Sequence, residues 1–174
     1  SVTGAATVAE AYKLSDLISE SAHASSELRV VNSGTIDRYC DLWGAKEMRY
    51  LGKKLLKPVV AKVKQADLPH KRLSQAETPK IIVAGMTLRL ECCLDVSGQV
   101  LAAKSTTIVY GHPELKHLLA VLNSNAMRFI YEQAYGGDKL QGGYLRVGPP
   151  QIERLPIPRL EGKTSAGLVS LVDT

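Results

Sequence analysis

The sequence predicts an α+β fold: a curved, mostly antiparallel sheet built on one long hairpin over about residues 80–110, packed by two or three helices. Three observations carry that expectation. Ile81, Ile82 and Val83 open a run in which Met86, Leu88, Leu90 and Cys92 alternate with Thr87, Arg89, Glu91 and Cys93, the period-two pattern of a strand with one buried face. Asp95-Val96-Ser97-Gly98 supplies turn chemistry before a return strand from Val100 to Tyr110, since Gly accepts positive φ and Asp and Ser bond to nearby backbone. The strongest helix signal follows the hairpin, in the apolar stripe from Leu115 to Ile130.

In chain order, Thr7-Val8-Ala9-Glu10 matches a capping box, in which Thr caps the first amides and Glu reaches back. Val8, Ala11, Leu14, Leu17 and Ile18 follow at helical spacing and predict a helix over about residues 8–20. Residues 21–26 read as a polar loop, 28–31 as a short strand and Asn32-Ser33-Gly34 as a turn. Trp43, the only Trp, is expected to anchor core packing. Lys57-Pro58 blocks helix continuation, and residues 59–73, basic and poorly periodic around Pro69, read as a loop with at most a short helix. Pro113 suits a first helical position, and Leu115, Leu118, Leu119, Leu122, Ala126, Phe129 and Ile130 form one apolar stripe, with a break predicted at Asn123-Ser124-Asn125. Beyond Gly136-Gly137, residues 142–147 read as a strand, 149–158 as a Pro-stiffened extended run and 161–174 as partly helical or frayed.

At 174 residues the chain fits one domain, and its hydrophobic fraction of 45% excludes a disordered polymer. No apolar run approaches the roughly 20 residues that span a bilayer, and the first residues lack the basic start and apolar centre of a secretion signal. The start without Met is expected of a fragment of a longer protein. Three Cys, two of them adjacent at 92 and 93, form no disulfide framework and fit a reducing cytoplasm. The four His do not stand at zinc spacing from Cys.

Several catalytic signatures are missing. No Gly-rich phosphate loop or G-x-S-x-G elbow occurs, and Pro149-Pro150 follows Gly148 rather than the Asn or Asp of an amino-group methyltransferase. Glu161-Gly162-Lys163 has the E-x-K spacing of metal-dependent nucleases, but no Pro-Asp precedes it. Charge is concentrated instead. The net charge is +5, yet between Lys46 and Arg72 stand nine cations (Lys46, Arg49, Lys53, Lys54, Lys57, Lys62, Lys64, Lys71 and Arg72) against Glu47 and Asp67. Such a segment creates a local field that attracts a polyanion. Arg89, Lys104, Ser105, Thr106, Lys139, Gln141, Tyr144 and Arg146, on the hairpin and the Gly-flanked strand, add cations and hydroxyls suited to phosphate oxygens and base edges. The plain alternative for Arg89 is a solvent pair with Glu91.

Five stretches in order carry a resemblance: residues 6–12; Asn32 to Tyr39 with Trp43-Gly44; Lys80 to Leu94 with Ala103 to Thr107; residues 118–124 ending Leu-Asn-Ser; and Gly142-Gly143-Tyr144-Leu145 followed by Gln151-Ile152 and Leu155-Pro156-Ile157-Pro158. Over about residues 5–158 the chain resembles the TaqI-like C-terminal specificity domain, the target-recognition domain of adenine-specific DNA methyltransferases and fused restriction–modification enzymes. The resemblance implies a module that grips duplex DNA and reads a short sequence, largely in the major groove. It implies no catalysis and no cofactor in this fragment. An N-terminal catalytic domain of the same chain would bind S-adenosylmethionine and methylate a flipped adenine, and the family includes parents fused to an endonuclease. Within the matched motifs it points to Asn32 to Tyr39, Asn32, Thr35 and Arg38 above all, and to Lys104 to Thr107, above all Lys104, Ser105 and Thr106, for the DNA face, with Arg49, Lys53 and Lys54 on phosphates. A monomer without a membrane partner is expected. Two rival readings stay open: a metal-dependent nuclease using Glu161 and Lys163 with Asp138 or Glu153, and a protein-interaction domain whose basic surface meets an acidic partner.

Overall fold

Two four-stranded sheets lie face to face at the centre of this α+β protein, with helices against both outer faces. The structure is a computed structural model and describes residues 1–21, 27–158 and 163–172. The elements are β1 (Val2–Gly4), α1 (Val8–Leu17), β2 (Ile18–Glu20), β3 (Leu28–Val31), β4 (Met48–Tyr50), β5 (Lys53–Leu55), β6 (Pro58–Val60), α2 (His70–Ala76), β7 (Lys80–Ala84), β8 (Met86–Thr87), β9 (Cys92–Asp95), β10 (Val100–Ala102), β11 (Thr106–Tyr110), α3 (Leu115–Leu122), α4 (Asn125–Tyr135), β12 (Leu145–Arg146), α5 (Pro149–Glu153) and α6 (Lys163–Val172). One sheet has the order β1-β11-β7-β9 and is antiparallel throughout; the other has the order β10-β3-β6-β2 with β10 and β3 parallel. Two ribbons, β4-β5 and β8-β12, stand outside them.

The layering follows from alternation. Ile81, Val83, Cys92 and Val109 turn toward α3, α4 and α5, whereas Ile82, Ala84, Cys93 and Ile108 turn toward Val31, Val100 and Ala102 of the second sheet. Val30, Val60 and Leu101 face α1 and α2. A strand covered on both faces is apolar at every position, which is why residues 81–84 form an unbroken apolar run. Cys92 and Cys93 therefore lie in different cores.

The expected single hairpin over residues 80–110 does not form. β7 pairs with β9 on one side and β11 on the other, while β10 leaves for the second sheet. The single curved sheet is replaced by two sheets, and the two or three helices by six α-helices among the described residues. Residues 95–98 do turn, but between sheets. The Asp95 carboxylate accepts the amides of Gly98, Gln99 and Val100 and meets Lys80 Nζ at 2.5 Å. Lys80 and Asp95 are both buried.

Other elements shift for local reasons. α1 has the predicted capping box but stops at Leu17, because Ile18–Glu20 gains a ladder with Pro58–Val60. The 59–73 segment begins within β6 and continues through the 3₁₀ stretch Lys62–Asp67 into α2. The predicted break after α3 is present: the Asn123 carboxamide bonds both ways to the Cys92 backbone, at 3.0 and 2.9 Å. α4 restarts on its Ser124 cap with a new phase. Met127 and Tyr131 are buried as a result, and Ala126, Phe129 and Ile130, expected in the stripe, are exposed. α3 begins at Leu115, two residues beyond Pro113. The first half of the 149–158 run is helix rather than extended, since Pro at the first helical positions is already set for a helix entered from Gly148. Trp43 is half-buried against the inter-sheet core, its Nε1 donating to Pro58 O at 2.8 Å. Among the described residues no helix is long and apolar enough to cross a membrane.

Arg72 is buried and grips both Glu10 oxygens through Nε and Nη2, at 3.1 and 2.8 Å. This guanidinium, with the Thr7 amide, holds the Glu10 carboxyl down to about 2. A carboxyl lowered on folding contributes stability that is complete above its ordinary 4.5 and drains as pH falls toward about 2. Urea unfolding followed down that range is expected to show a shallower acid loss for Glu10→Gln than for the wild type. At neutral pH, Asp95→Ala is expected to cost about 3–5 kcal/mol in the same assay, because it strands a buried ammonium.

Candidate nucleic-acid interface

The turn after β3 is built by its own side chains. Asn32 Oδ1 accepts the Gly34 amide at 2.9 Å, and Thr35 Oγ1 accepts the Asn32 amide at 3.1 Å. Asn32 Nδ2 donates to Arg49 O on β4 at 2.9 Å. Asn32 and Thr35, expected at the DNA face, are thus occupied in shaping the turn, and Thr35 is buried. Ser33 lies inside the expected stretch Asn32 to Tyr39 but is not singled out there. Its hydroxyl donates to Ser105 O and accepts the Gly85 amide, the latter at 2.9 Å. Its only sequence signal is a small polar residue inside a turn.

Gly85 is where three segments meet. Its amide also reaches Ser105 O at 2.9 Å, and its carbonyl accepts the Val147 amide at 2.9 Å. A Cβ here would lie 2.3 Å from Ser105 O. Ser105 itself has φ 70, a left-handed conformation that costs a non-glycine residue of order 1–3 kcal/mol. The loop before it is fixed from below: Tyr50 on β4 donates from its hydroxyl to Ala11 O at 3.2 Å and receives the Lys104 amide. Burial pushes that phenol up to about 12.

This joinery brings β4, the 32–35 turn, Lys104-Ser105, β8 and β12 to one end of the molecule. Lys104 and Ser105 are exposed, but Thr106 and Thr107 are buried in β11, where Thr106 Oγ1 donates to Ala103 O at 2.7 Å. Thr106 and Thr107 therefore drop out of the expected face, because β11 lies between β1 and β7 with both sides covered. Arg38 is turned inward: its Nη2 donates to Asn123 O at 2.5 Å and its Nε is buried without a partner. Arg89 lies between Asp37 at 3.4 Å and Glu91 at 3.3 Å, so two carboxylates answer its charge.

The basic segment divides in the same way. Arg72 is the buried partner of Glu10, and Lys53 Nζ reaches the Ser15 carbonyl. Arg49 and Lys54 face each other directly across the β4-β5 ribbon, both exposed, with Glu47 3.8 Å from Arg49. Lys139, Gln141, Tyr144 and Arg146 are exposed on and before β12. The Leu140 amide on Tyr144 O at 2.7 Å folds this approach back onto the strand.

All three thiols are held toward the protonated form. Burial raises Cys92 and takes Cys93 up to about 12, and burial with Asp37 and Asp41 raises Cys40. Among the described residues no group of three or more His, Cys, Asp or Glu is placed to hold a metal ion. Glu161, the carboxylate of the E-x-K spacing, lies outside the described residues. Compared with known proteins, the chain matches no family model and no curated sequence.

Gly85→Ala is expected to destabilise the protein by about 1–3 kcal/mol through overpacking against Ser105. Ser33→Ala, which removes hydrogen bonds without a clash, is expected to cost about 1 kcal/mol. Urea midpoints compare the two; equal stability of Gly85→Ala and the wild type would refute the close approach.

Proposed function

We propose that this chain is a DNA target-recognition domain, acting in an adenine-specific methyltransferase or restriction–modification enzyme and doing no chemistry itself. The observation that carries the reading is Arg49 opposite Lys54 on an exposed ribbon. Like charges on one rung of a ribbon destabilise it; Glu47, an exposed partner 3.8 Å from Arg49, offsets little of this, and a polyanion lying across the rung removes the cost. Lys104, beside the same ribbon through Tyr50, extends the cationic surface. The ordered motifs that resemble the TaqI-like specificity domain supply the choice of polyanion: duplex DNA. In this reading S-adenosylmethionine and the reacting adenine belong to a separate catalytic domain, and this domain contributes grip and register. Phosphate contacts give affinity, and base contacts give selectivity.

Fluorescence anisotropy on a labelled duplex, repeated over a salt series, tests this. Binding is expected to fall steeply with salt, with log K against log salt flattening by about 0.9 for each phosphate contact removed. Lys54→Ala and Lys104→Ala are each expected to weaken binding and flatten the slope in this way. A wild-type chain that leaves the duplex free at low salt would sink the proposal.

A further inference from the structure

We infer that the β8-β12 ribbon is the element that enters the major groove, with Arg146 reading guanine and Met86 and Leu88 touching thymine methyl groups. The inference rests on the DNA-binding reading above and adds a division of labour to it. In the ribbon, Met86 stands opposite Arg146 and Thr87 opposite Leu145. Thr87 and Leu145 are buried, so alternation turns Met86 and Arg146 outward. Leu88 and Tyr144, the next residues beyond the paired rungs, are exposed as well, and the ring of Tyr144 lies close over Gly142. Met86 is 48% exposed and Leu88 56%. Large apolar side chains beside a free guanidinium are poorly matched to water but well matched to base edges, where Arg forks onto guanine O6 and N7 and apolar groups meet the thymine methyl.

Arg146 is available for this role. Among the described residues it makes no ion pair, in contrast to Arg89 between Asp37 and Glu91. Its backbone is held rigid, since its carbonyl accepts the hydroxyl of the buried Tyr131 at 2.7 Å and the next amide, of Val147, bonds to Gly85 O. A two-stranded ribbon fits a major groove about 12 Å wide. The Ser33–Gly85 joint links it to the 32–35 turn and through Asn32 to β4, so Arg49 and Lys54 are placed to take phosphates while the ribbon takes bases.

Selection from a randomised duplex pool, sequenced after binding to the wild-type chain and to variants, tests this. The wild type is expected to enrich a motif containing guanine and thymine. Arg146→Lys keeps the charge but not the fork, and is expected to relax one guanine position by about 5- to 150-fold, the range of a bidentate base contact, with the salt slope kept. Met86→Ala with Leu88→Ala is expected to relax thymine positions, and Lys54→Ala to weaken binding while leaving the motif intact. A wild-type motif that survives Arg146→Lys and the Met86/Leu88 changes overturns the ribbon assignment alone. Binding without any enriched motif also overturns it. Absence of all binding overturns the DNA reading itself. Because these side chains are exposed, thermal melts are expected to coincide with the wild type; any variant that melts early is replaced by Arg146→Gln or Met86→Gln before its motif is read.

Discussion

A buried ion pair fixes the course of this chain. Lys80 and Asp95 are sealed from solvent and meet at 2.5 Å, an arrangement that costs several kcal/mol of desolvation per ion unless every remaining donor and acceptor is satisfied. Here they are. Lys80 Nζ donates also to Ala76 O and Thr78 O, and Asp95 takes three amides of the following turn. Burial pulls the Lys80 ammonium below its usual range, opposed by the carboxylate of Asp95. The pair joins the end of α2, the start of β7 and the turn at one point. Gly98 completes it, with φ +66 and no space for a Cβ against Glu77 O. Any other register would strand a charge in the interior.

That knot decides where the chain changes sheets. β10 departs beside β3 in parallel, and the return into β11 must pass residues 103–105. The return is tight enough to leave Ser105 in a left-handed conformation with its carbonyl aimed at Gly85 and Ser33. The surface at that end of the molecule is thus a product of the interior: the crossover sets Ser105, Ser105 sets Gly85, and Gly85 sets the ribbon beyond it.

Local chemistry was legible in the sequence and pairing was not. The capping box at Thr7 and Glu10, the break at Asn123 and the turn at Asp95 follow from one or two side chains acting on nearby backbone, and each is present. The alternation expected over residues 86–93 fails: Met86 and Leu88, assigned to the buried face, are exposed, Thr87 is buried, Cys92 and Cys93 are both buried, and residues 88–91 lie outside any strand, because the chain leaves β8 for a separate ribbon before entering β9. Read as one strand, the stretch gave one hairpin where the chain makes three pairings. Thr106 looked like surface because hydroxyls are polar; β11 buries it by satisfying Oγ1 on Ala103 O. Arg38 and Arg72 looked like free charge, yet partners far along the chain, Asn123 and Glu10, hold them. Arg49, Lys54, Lys104 and Arg146 did reach solvent. Nothing in composition separates the two groups, because the distinction is made by long-range contacts.

The alternation of the β8-β12 ribbon carries an evolutionary consequence. The side chains of Thr87 and Leu145 are buried against the body, whereas those of Met86 and Arg146 are exposed, and these two residues hold the ribbon through backbone alone. Selection can therefore rewrite the outward pair while the inward pair stays untouched. Single substitutions at the outward pair are therefore open to a lineage with this architecture at little cost to folding.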